Sequence, residues 1–238
     1  MRAVLFDLGN TLVSYYAASD FAPILRDCLR ACARAFEYGP DVDEEDLFQR
    51  AMGLNTERAD HTVWPLIDRL NTLFDMGPQD AATERRIITA FMEPLFATAV
   101  ADPEATRILA SLRADGFATA IVSNTPWGSP AAPWRAELAR HQLLTAVDAV
   151  VFCADVGYRK PHRAPFERAL SLLGVRASDA VFVGDDPRWD VFGATQAGIQ
   201  PLLLAPSGTQ AAAHDVPVAR NLTEVLDHMR VRASVLTS

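Results

Sequence analysis

Short apolar runs bounded by turn residues recur along this 238-residue chain, and this recurrence constrains its fold more than any other feature. The later runs lie about one helix apart, and the segments between them carry helix start and stop residues such as Asp102, Pro103 and Gly174. Buried parallel strands joined by crossover helices produce this pattern, so we predict an α/β fold with a parallel sheet. Its predicted strands are residues 3–6, 118–122, 149–152, 180–183 and 201–204.

The interval between the first predicted strand and residue 102 shows a different pattern. Apolar residues recur there at spacings of three and four, as Ile87, Phe91 and Leu95 do, which is typical of amphipathic helices. We therefore predict an α-helical domain, residues 15–100, inserted after the first strand of a core made of residues 1–14 and 101–238. Its predicted helices are residues 20–36, 44–52, 62–74 and 81–99, with linkers at 13–19 and 100–102.

Two stretches of the predicted core lie outside this regular alternation. Residues 126–134 are rich in Pro and Trp, and they form either a wall of the substrate pocket or a rigid loop packed on the core. The C-terminal stretch is predicted to hold a strand at 216–218, a helix at 222–230 and a frayed tail from about residue 233.

Charge and cysteine content limit the partners of the chain. It has 22 Lys and Arg residues against 30 Asp and Glu residues, and the resulting net charge of −8 disfavours binding to nucleic acid or to an anionic membrane. Three cysteines do not make a disulfide framework, and Asp7 stands where a signal peptide needs an apolar run. We therefore expect a cytoplasmic protein whose partner is a small molecule. The sequence does not indicate an oligomeric state.

Polar signatures follow four of the predicted strands. The carboxyl ends of parallel strands meet at one edge of an open sheet, where ligands bind. We therefore expect these side chains to converge although they lie far apart in sequence. They are Asp7 after the first strand, Ser123 and Asn124 after the second, Lys160 beyond the third, and Asp185 and Asp190 after the fourth.

Each signature by itself has a structural as well as a chemical interpretation. Asp7 is either a turn residue that caps backbone amides or a reactive carboxylate. Ser123 and Asn124 either form a plain turn or hold phosphate oxygens. Lysine residues in loops usually face solvent, but Lys160 is the single Lys of the chain beside 21 Arg residues. Because a site that needs a compact ammonium group does not accept the planar guanidinium of Arg, Lys160 is a candidate site residue.

Asp7, Asp185 and Asp190 would bring three carboxylates to one place. The two acids after the fourth strand are interpretable as caps of the next helix. Three converging carboxylates repel one another, however, unless a cation lies between them. Carboxylate oxygens are hard ligands of the kind that Mg²⁺ prefers. The sequence therefore favours a Mg²⁺ site at this edge of the sheet.

The order of the four signatures resembles that of the haloacid dehalogenase-like hydrolase superfamily, most of whose members are phosphatases. The resemblance spans residues 1–204. It implies a three-layer Rossmann-like core with a helical cap of the family's first type. The matching motifs are Phe6-Asp7-x-Gly9-Asn10-Thr11-Leu12, Ser123-Asn124, Lys160-Pro161 and Gly184-Asp185-x4-Asp190.

The resemblance also implies a role for each motif residue. Asp7 would be the nucleophile, oriented by Thr11, and would form an aspartyl phosphate. A charge-neutralising clamp on the phosphoryl oxygens would be the main source of catalysis. The implied phosphate-binding residues are Ser123, Asn124 and Lys160, and the implied Mg²⁺ ligands are Asp7, the Gly9 carbonyl, Asp185 and Asp190.

Position 9 departs from the family pattern. Phosphatases of this family usually carry a second aspartate there, which protonates the leaving oxygen and later activates water, and Gly9 does neither. The candidates to replace it are Asp186, a cap residue or water. Dehalogenases of the superfamily also lack this aspartate, but they work without metal and carry neutral residues at the fourth signature.

Three functions follow from these residues. We favour a Mg²⁺-dependent phosphatase that acts on a small phosphorylated metabolite, because Asp185 and Asp190 are retained. The first alternative is a metal-independent 2-haloacid dehalogenase. The second is a phosphate-binding or regulatory module with weak catalysis, which Gly9 supports.

Overall fold

A computed structural model gives the fold of residues 2–37, 43–205 and 216–235. Six strands of this described part form one parallel sheet, and the prediction of an α/β fold with a parallel sheet is confirmed. The strands are β1 (Arg2–Phe6), β2 (Val13–Ser14), β3 (Val100–Ala101), β4 (Phe117–Ser123), β5 (Ala149–Phe152), β6 (Ala180–Gly184), β7 (Gln200–Leu204) and β8 (Val218–Ala219). The order of the main sheet is β5-β4-β1-β6-β7-β8, and all its pairs are parallel.

Helices surround this sheet and form an inserted cap. The first four helices, which lie between β2 and β3, confirm the predicted helical cap, while the boundary at residues 15–100 stays a prediction. Within the described residues, no helix has the length and apolar character needed to cross a bilayer. The helices are α1 (Phe21–Ala35), α2 (Glu44–Leu54), α3 (Leu66–Leu73), α4 (Ala81–Ala97), α5 (Ala105–Ala114), α6 (Ala131–Arg140), α7 (Cys153–Val156), α8 (Arg163–Leu173), α9 (Gly193–Gln196) and α10 (Leu222–Val235).

The central strands are apolar on both faces because helices cover both. Every residue of β4 and β6 is buried. Alternate residues of β1 enter two different cores: Val4 packs in the cluster that holds Ile108 of α5, and Leu5 packs in the cluster that holds Phe166 of α8. Burial of each such side chain stabilises the fold by roughly 1.5–3 kcal/mol. The sheet therefore has a packed core on each of its two faces.

Short strands and an extended segment appear where the sequence predicts linkers or helix. β2 and β3 lie in the predicted linkers and pair with each other in antiparallel fashion. The predicted helix at 62–74 begins only at Leu66, because Pro65 disfavours helical backbone in the residue before it. Thr62 instead pairs with Tyr158 of the core.

Two core helices have an end that the sequence did not predict. Helix α6 begins inside the Pro- and Trp-rich stretch, since Pro130 is its N-cap and Pro133 lies in its first turn, where proline is compatible with a helix. Helix α10 continues to Val235 beyond the predicted fraying point. Residues 236–238 of that predicted tail lie outside the described residues.

Candidate active site

The pairing register of β1 brings the predicted signatures to one edge of the sheet. Phe6, the last residue of β1, pairs with Ile121 of β4 and Val183 of β6. Asp7 follows, and its backbone N–H donates to the Val183 carbonyl at 2.9 Å. Because these strands are parallel, the residues that follow the two partners emerge beside Asp7. They include Ser123 and Asp185.

Lys160 links two of the acids. Its Nζ lies 2.6 Å from Asp7 Oδ1 and 2.6 Å from Asp190 Oδ1, and the residue is 1% exposed. Burial lowers the pKa of this lysine, but the charges of Asp190 and Asp7 outweigh burial and raise the pKa of Lys160 above its ordinary 10.5. The ammonium group therefore stays charged although the residue is almost completely buried.

Three carboxylates converge beside this ammonium group. Asp7, Asp185 and Asp190 offer oxygens that all lie within 4.8 Å of one another. Burial, with a contribution from the charge of Asp7, raises the pKa of Asp185 to about 6. Burial also raises the pKa of Asp190. Carboxylates this close are costly to keep ionised, and a bound divalent cation relieves that cost.

Asp190 is held through both of its oxygens. Oδ1 accepts from Lys160, and Oδ2 accepts from the backbone N–H of Asp186 at 3.1 Å. The carboxylate lies so close to Gly184 that a Cβ at that position would collide with it. β6 therefore has to end on glycine for Asp190 to reach Lys160. Asp190 is 1% exposed and Asp7 is 9% exposed, so Asp7 is the more accessible of the two to a ligand.

Asn124 holds the loop that carries Lys160. Its Oδ1 accepts from the Lys160 N–H at 2.7 Å, and its Nδ2 donates to the Lys160 carbonyl at 3.1 Å. The sequence did not predict this positioning contact. The Ser123 hydroxyl donates to the Asn124 carbonyl at 3.2 Å. The Thr11 hydroxyl is buried without a hydrogen-bond partner among the described residues. The predicted role of Thr11 in orienting Asp7 therefore stays a prediction. The predicted contacts of Ser123, Asn124 and Lys160 with phosphate also stay predictions.

These groups lie at a cavity of about 400 Å³ between the core and the cap, a size typical of small-molecule sites. Its charged lining consists of four aspartates against one lysine and one arginine, which gives a net charge of −2. Most of the remaining wall is apolar or aromatic. These wall residues include Tyr16, Phe21 and Leu95 from the cap and its linker, and Trp127 and Trp134 from the core.

The stretch at residues 126–134 lines the cavity and also packs on the cap. Trp127 and Trp134 line the cavity, and both are buried. The ring of Trp127 packs on Phe91 of the cap with 5.5 Å between centroids. Trp134 Nε1 donates to Ser129 Oγ at 2.9 Å. The stretch therefore forms part of the cavity wall and contacts the cap through Trp127.

Position 9 has room for a side chain that it lacks. A Cβ built on Gly9 would meet only Tyr15 Cδ2 at 3.9 Å, an ordinary van der Waals distance. Asp186 lines the same cavity, but its Oδ1 caps the π-helical segment Pro187–Phe192 by accepting from the N–H groups of Arg188 and Trp189. No carboxylate of the described cap residues lines the cavity.

Known proteins match most of this chain. Residues 1–198 match the family described as haloacid dehalogenase-like hydrolase. The chain belongs to this family. It is similar to the ribulose-1,5-bisphosphate 5-phosphatase of Halopiger xanaduensis, at 32% identity over 86% of this chain and 85% of the relative. It is also similar to the glyceraldehyde 3-phosphate phosphatase of Methanothermobacter thermautotrophicus, at 26% identity over 89% of this chain and 88% of the relative.

A solved structure of the family has the same fold. The crystal structure of a 2-haloacid dehalogenase from Pseudomonas syringae pv. Tomato is similar to this hydrolase with a TM-score of 0.67 at 25% identity. The similarity covers 97% of this chain and 98% of that chain. The family fold therefore extends over core and cap together.

The core loop before Lys160 is paired with the cap in this hydrolase. The Arg159 N–H donates to the His61 carbonyl at 2.8 Å, and the Val63 N–H donates to the Gly157 carbonyl at 2.8 Å. Arg159 also lines the cavity, as does Asn55 of the cap. Sequence reasoning missed both residues. The available signal for Arg159 was its position directly before Lys160, whereas nothing in the sequence singled out Asn55.

Proposed function

We propose that this chain is a Mg²⁺-dependent phosphatase that hydrolyses a small phosphorylated metabolite through an aspartyl phosphate on Asp7. The observation that carries the proposal is the hydrogen bond that the buried Lys160 ammonium donates to the Asp7 carboxylate. Asp7 itself belongs to a cluster of three carboxylates. A fixed cation beside a carboxylate nucleophile suits an anionic electrophile. The similarity to two phosphatases supports a phosphoryl group as that electrophile.

The donor set of the cavity fits Mg²⁺. Its carboxylate oxygens are hard ligands within 4.8 Å of one another. A lining with a net charge of −2 repels a phosphate dianion, and one divalent cation makes that lining neutral. Asp7, Asp185 and the Gly9 carbonyl would hold the ion, with Asp190 completing the acidic rim. When bound, Mg²⁺ supplies charge neutralisation at the phosphoryl oxygens.

Asp7 is the carboxylate best placed to attack phosphorus. Lys160 binds its Oδ1, and Oδ2 has no hydrogen-bond partner among the described residues. Attack by Oδ2 forms the bond to phosphorus, while the bond from phosphorus to the alcohol oxygen breaks and the alcohol leaves with the electron pair. Water then attacks phosphorus, and inorganic phosphate leaves as the Asp7 carboxylate is regenerated.

Protein groups around Asp7 bind the transferring group and limit the access of water. Lys160 and Ser123 hold phosphoryl oxygens, with Asn124 beside them. Because Gly9 has no side chain and Asp186 is used as a helix cap, water in the cavity gives the proton to the leaving oxygen. The apolar wall excludes bulk water around the reacting atoms.

The test is release of phosphate from p-nitrophenyl phosphate and from a panel of sugar, nucleotide and organic-acid phosphates. We expect release with Mg²⁺, none with EDTA and none from Asp7→Asn. Asp179→Asn, which changes an aspartate outside the cavity, is the matched control and should keep full activity. Both variants should have the melting temperature of the parent protein. If Asp7→Asn then retained turnover, Asp7 would not be the nucleophile.

A dehalogenase is the second candidate function. The observations in its favour are the missing aspartate at position 9 and the similarity to a 2-haloacid dehalogenase structure. The carboxylates of Asp185 and Asp190 oppose it, since a metal-independent reaction has no use for them. If the protein released chloride from 2-chloropropionate in the presence of EDTA, the dehalogenase would be favoured over the phosphatase. Binding of Mg²⁺ and phosphate without any turnover would instead favour the regulatory module.

A further inference from the structure

Arg159 is the cationic lining residue that the proposed phosphatase chemistry does not use. Lys160 and Arg159 are the cationic residues among the described lining, and Lys160 is already bonded to two carboxylates. The Arg159 guanidinium donates to the Thr125 carbonyl at 2.7 Å and lies 3.3 Å from Glu57 Oε1. Its Nε is buried without a partner among the described residues. Part of its donor fork is therefore free for another acceptor.

Arg159 adds its charge to that of two arginines of the cap, Arg58 and Arg69. Arg69 of α3 is buried and binds the carbonyls of Leu54 and Thr56, and it has no carboxylate partner in the described part of the chain. Burial, with the charges of Arg159 and Arg58, lowers the pKa of Arg69 to about 10. Glu57 is the one opposing charge that acts on Arg69. Arg58, Arg69 and Arg159 thus outnumber the two acids that act on them, Glu57 and Asp60, although the chain as a whole is acidic.

The cavity lining therefore offers two different sets of groups to a ligand. Lys160 and the carboxylate cluster suit one phosphoryl group with Mg²⁺. The guanidinium of Arg159, which lies against Glu57 of the cap, has donors without partners among the described residues. Asn55 lines this cavity from the cap and adds an amide. Arginine at such a place suits planar, bidentate recognition of a carboxylate or phosphate.

We propose that Arg159 binds a second anionic group of the substrate, a carboxylate or a second phosphate carried by the same molecule as the scissile phosphate. The proposal rests on the phosphatase function above and defines its substrate class. In the competing interpretation, Arg159 only ties the core to the cap through Thr125 and Glu57. That role would affect all substrates equally, so the two interpretations differ in selectivity.

Matched substrates test the proposal. 3-Phosphoglycerate and glyceraldehyde 3-phosphate differ by a carboxylate in place of an aldehyde, and ribulose 1,5-bisphosphate differs from ribulose 5-phosphate by a second phosphate. We expect kcat/KM to be at least about tenfold higher for the anionic member of one pair, which is the effect of one charge-assisted hydrogen bond. The pair that shows the preference identifies carboxylate or phosphate as the second group. Equal values within both pairs would overturn the proposal.

Variants of Arg159 distinguish recognition of the substrate from a structural contact between the core and the cap. Arg159→Met should reduce the anionic-to-neutral ratio of kcat/KM by about 10- to 100-fold, mainly through KM. Arg159→Lys should restore part of the ratio, and Glu57→Gln should raise it because the competing carboxylate is gone. Arg163→Met changes an exposed arginine outside the cavity and should leave the ratio unchanged. Equal losses on both members of a pair in Arg159→Met would assign Arg159 the structural role.

A binding measurement keeps this test separate from the phosphatase assignment. Calorimetric titration of Asp7→Asn with 3-phosphoglycerate and glyceraldehyde 3-phosphate, and with the ribulose pair, needs no turnover. We expect tighter binding of an anionic member and loss of that preference when Arg159→Met is added. Absence of phosphate release with this preference intact would refute the phosphatase and retain the role of Arg159. Absence of any preference, with hydrolysis intact, would refute the role of Arg159 alone.

Discussion

Both polar atoms of the Asn124 side chain bind the backbone of Lys160, at 2.7 Å and 3.1 Å. Lys160 in turn places its ammonium 2.6 Å from Asp7. Residues 36 positions apart in sequence are thereby joined in one chain of contacts that ends at the proposed nucleophile. Asn124 is thus a positioning residue for Lys160.

Removal of this amide should affect turnover more than stability. We expect Asn124→Ala to lower kcat by about 10- to 100-fold, because a small displacement of the Lys160 ammonium misplaces its charge. The control is Asn221→Ala, since Asn221 accepts from the Glu224 N–H at 2.9 Å outside the cavity. That variant should lower the melting temperature and leave kcat unchanged. Parental kcat in Asn124→Ala would contradict the positioning role.

Gly184 should not accept even one methyl group. A Cβ there collides with the Asp190 carboxylate, so we expect Gly184→Ala to destabilise the fold by about 1–3 kcal/mol and to weaken activity. Gly53 of α2 has no neighbouring atom within 4 Å of its Cβ position. Gly53→Ala should therefore stabilise the protein by up to about 1 kcal/mol. Urea unfolding of both variants tests this contrast, and equal effects would refute it.

Gly9→Asp should supply the missing acid. Position 9 accommodates a Cβ, and a positioned acid contributes about 10²- to 10⁴-fold. We expect kcat/KM of the parent protein to fall steeply as the pKa of the leaving alcohol rises, and Gly9→Asp to flatten this dependence. Gly9→Asn, of equal size, is the control and should not flatten it. An unchanged slope in Gly9→Asp would mean that another group already gives the proton.

Stabilisation by Mg²⁺ should depend on pH. The pKa of Asp185 is raised from 3.8 to about 6, so between these values the metal-free folded protein holds a proton that the unfolded chain has released. The contribution of Asp185 to metal-free stability therefore falls as pH rises through this window. Since Mg²⁺ binds the ionised carboxylate, its shift in melting temperature should be larger at pH 7 than at pH 5.

Thermal melting with Mg²⁺ or EDTA at both pH values measures this difference. Asp185→Asn removes the titrating group, and in this variant the shift caused by Mg²⁺ should be small at either pH. A shift of the same size at pH 5 and pH 7 in the parent protein would contradict the involvement of Asp185.

Local sequence patterns predicted the strands and the acids that follow them. β5 was predicted with the observed bounds, and β1 and β6 each to within one residue. The reason is that burial on both faces requires an uninterrupted apolar run, and a polar residue marks where the strand leaves the core. Parallel pairing then brings Asp7 and Asp185 to the same edge.

Contacts between distant segments determined the rest. β2 pairs with β3 from 86 or more residues away, and two-residue strands carry no periodic signal. The extended segment at Thr62 takes its conformation from pairing with Tyr158. The contacts of Asn124 with Lys160 and of Arg159 with Glu57 depend on how loops meet after folding.

The sequence by itself therefore determined the α/β class, the helical insertion and the residue types that could carry the chemistry. Those properties follow from apolar periodicity and from residue chemistry, which act locally along the chain. Only the tertiary structure decided that Lys160 is buried between Asp7 and Asp190 and that Arg159 faces the cavity beside the cap. Both depend on the packing of separate elements, because burial and charge pairing are properties of the assembled surfaces and not of any one segment.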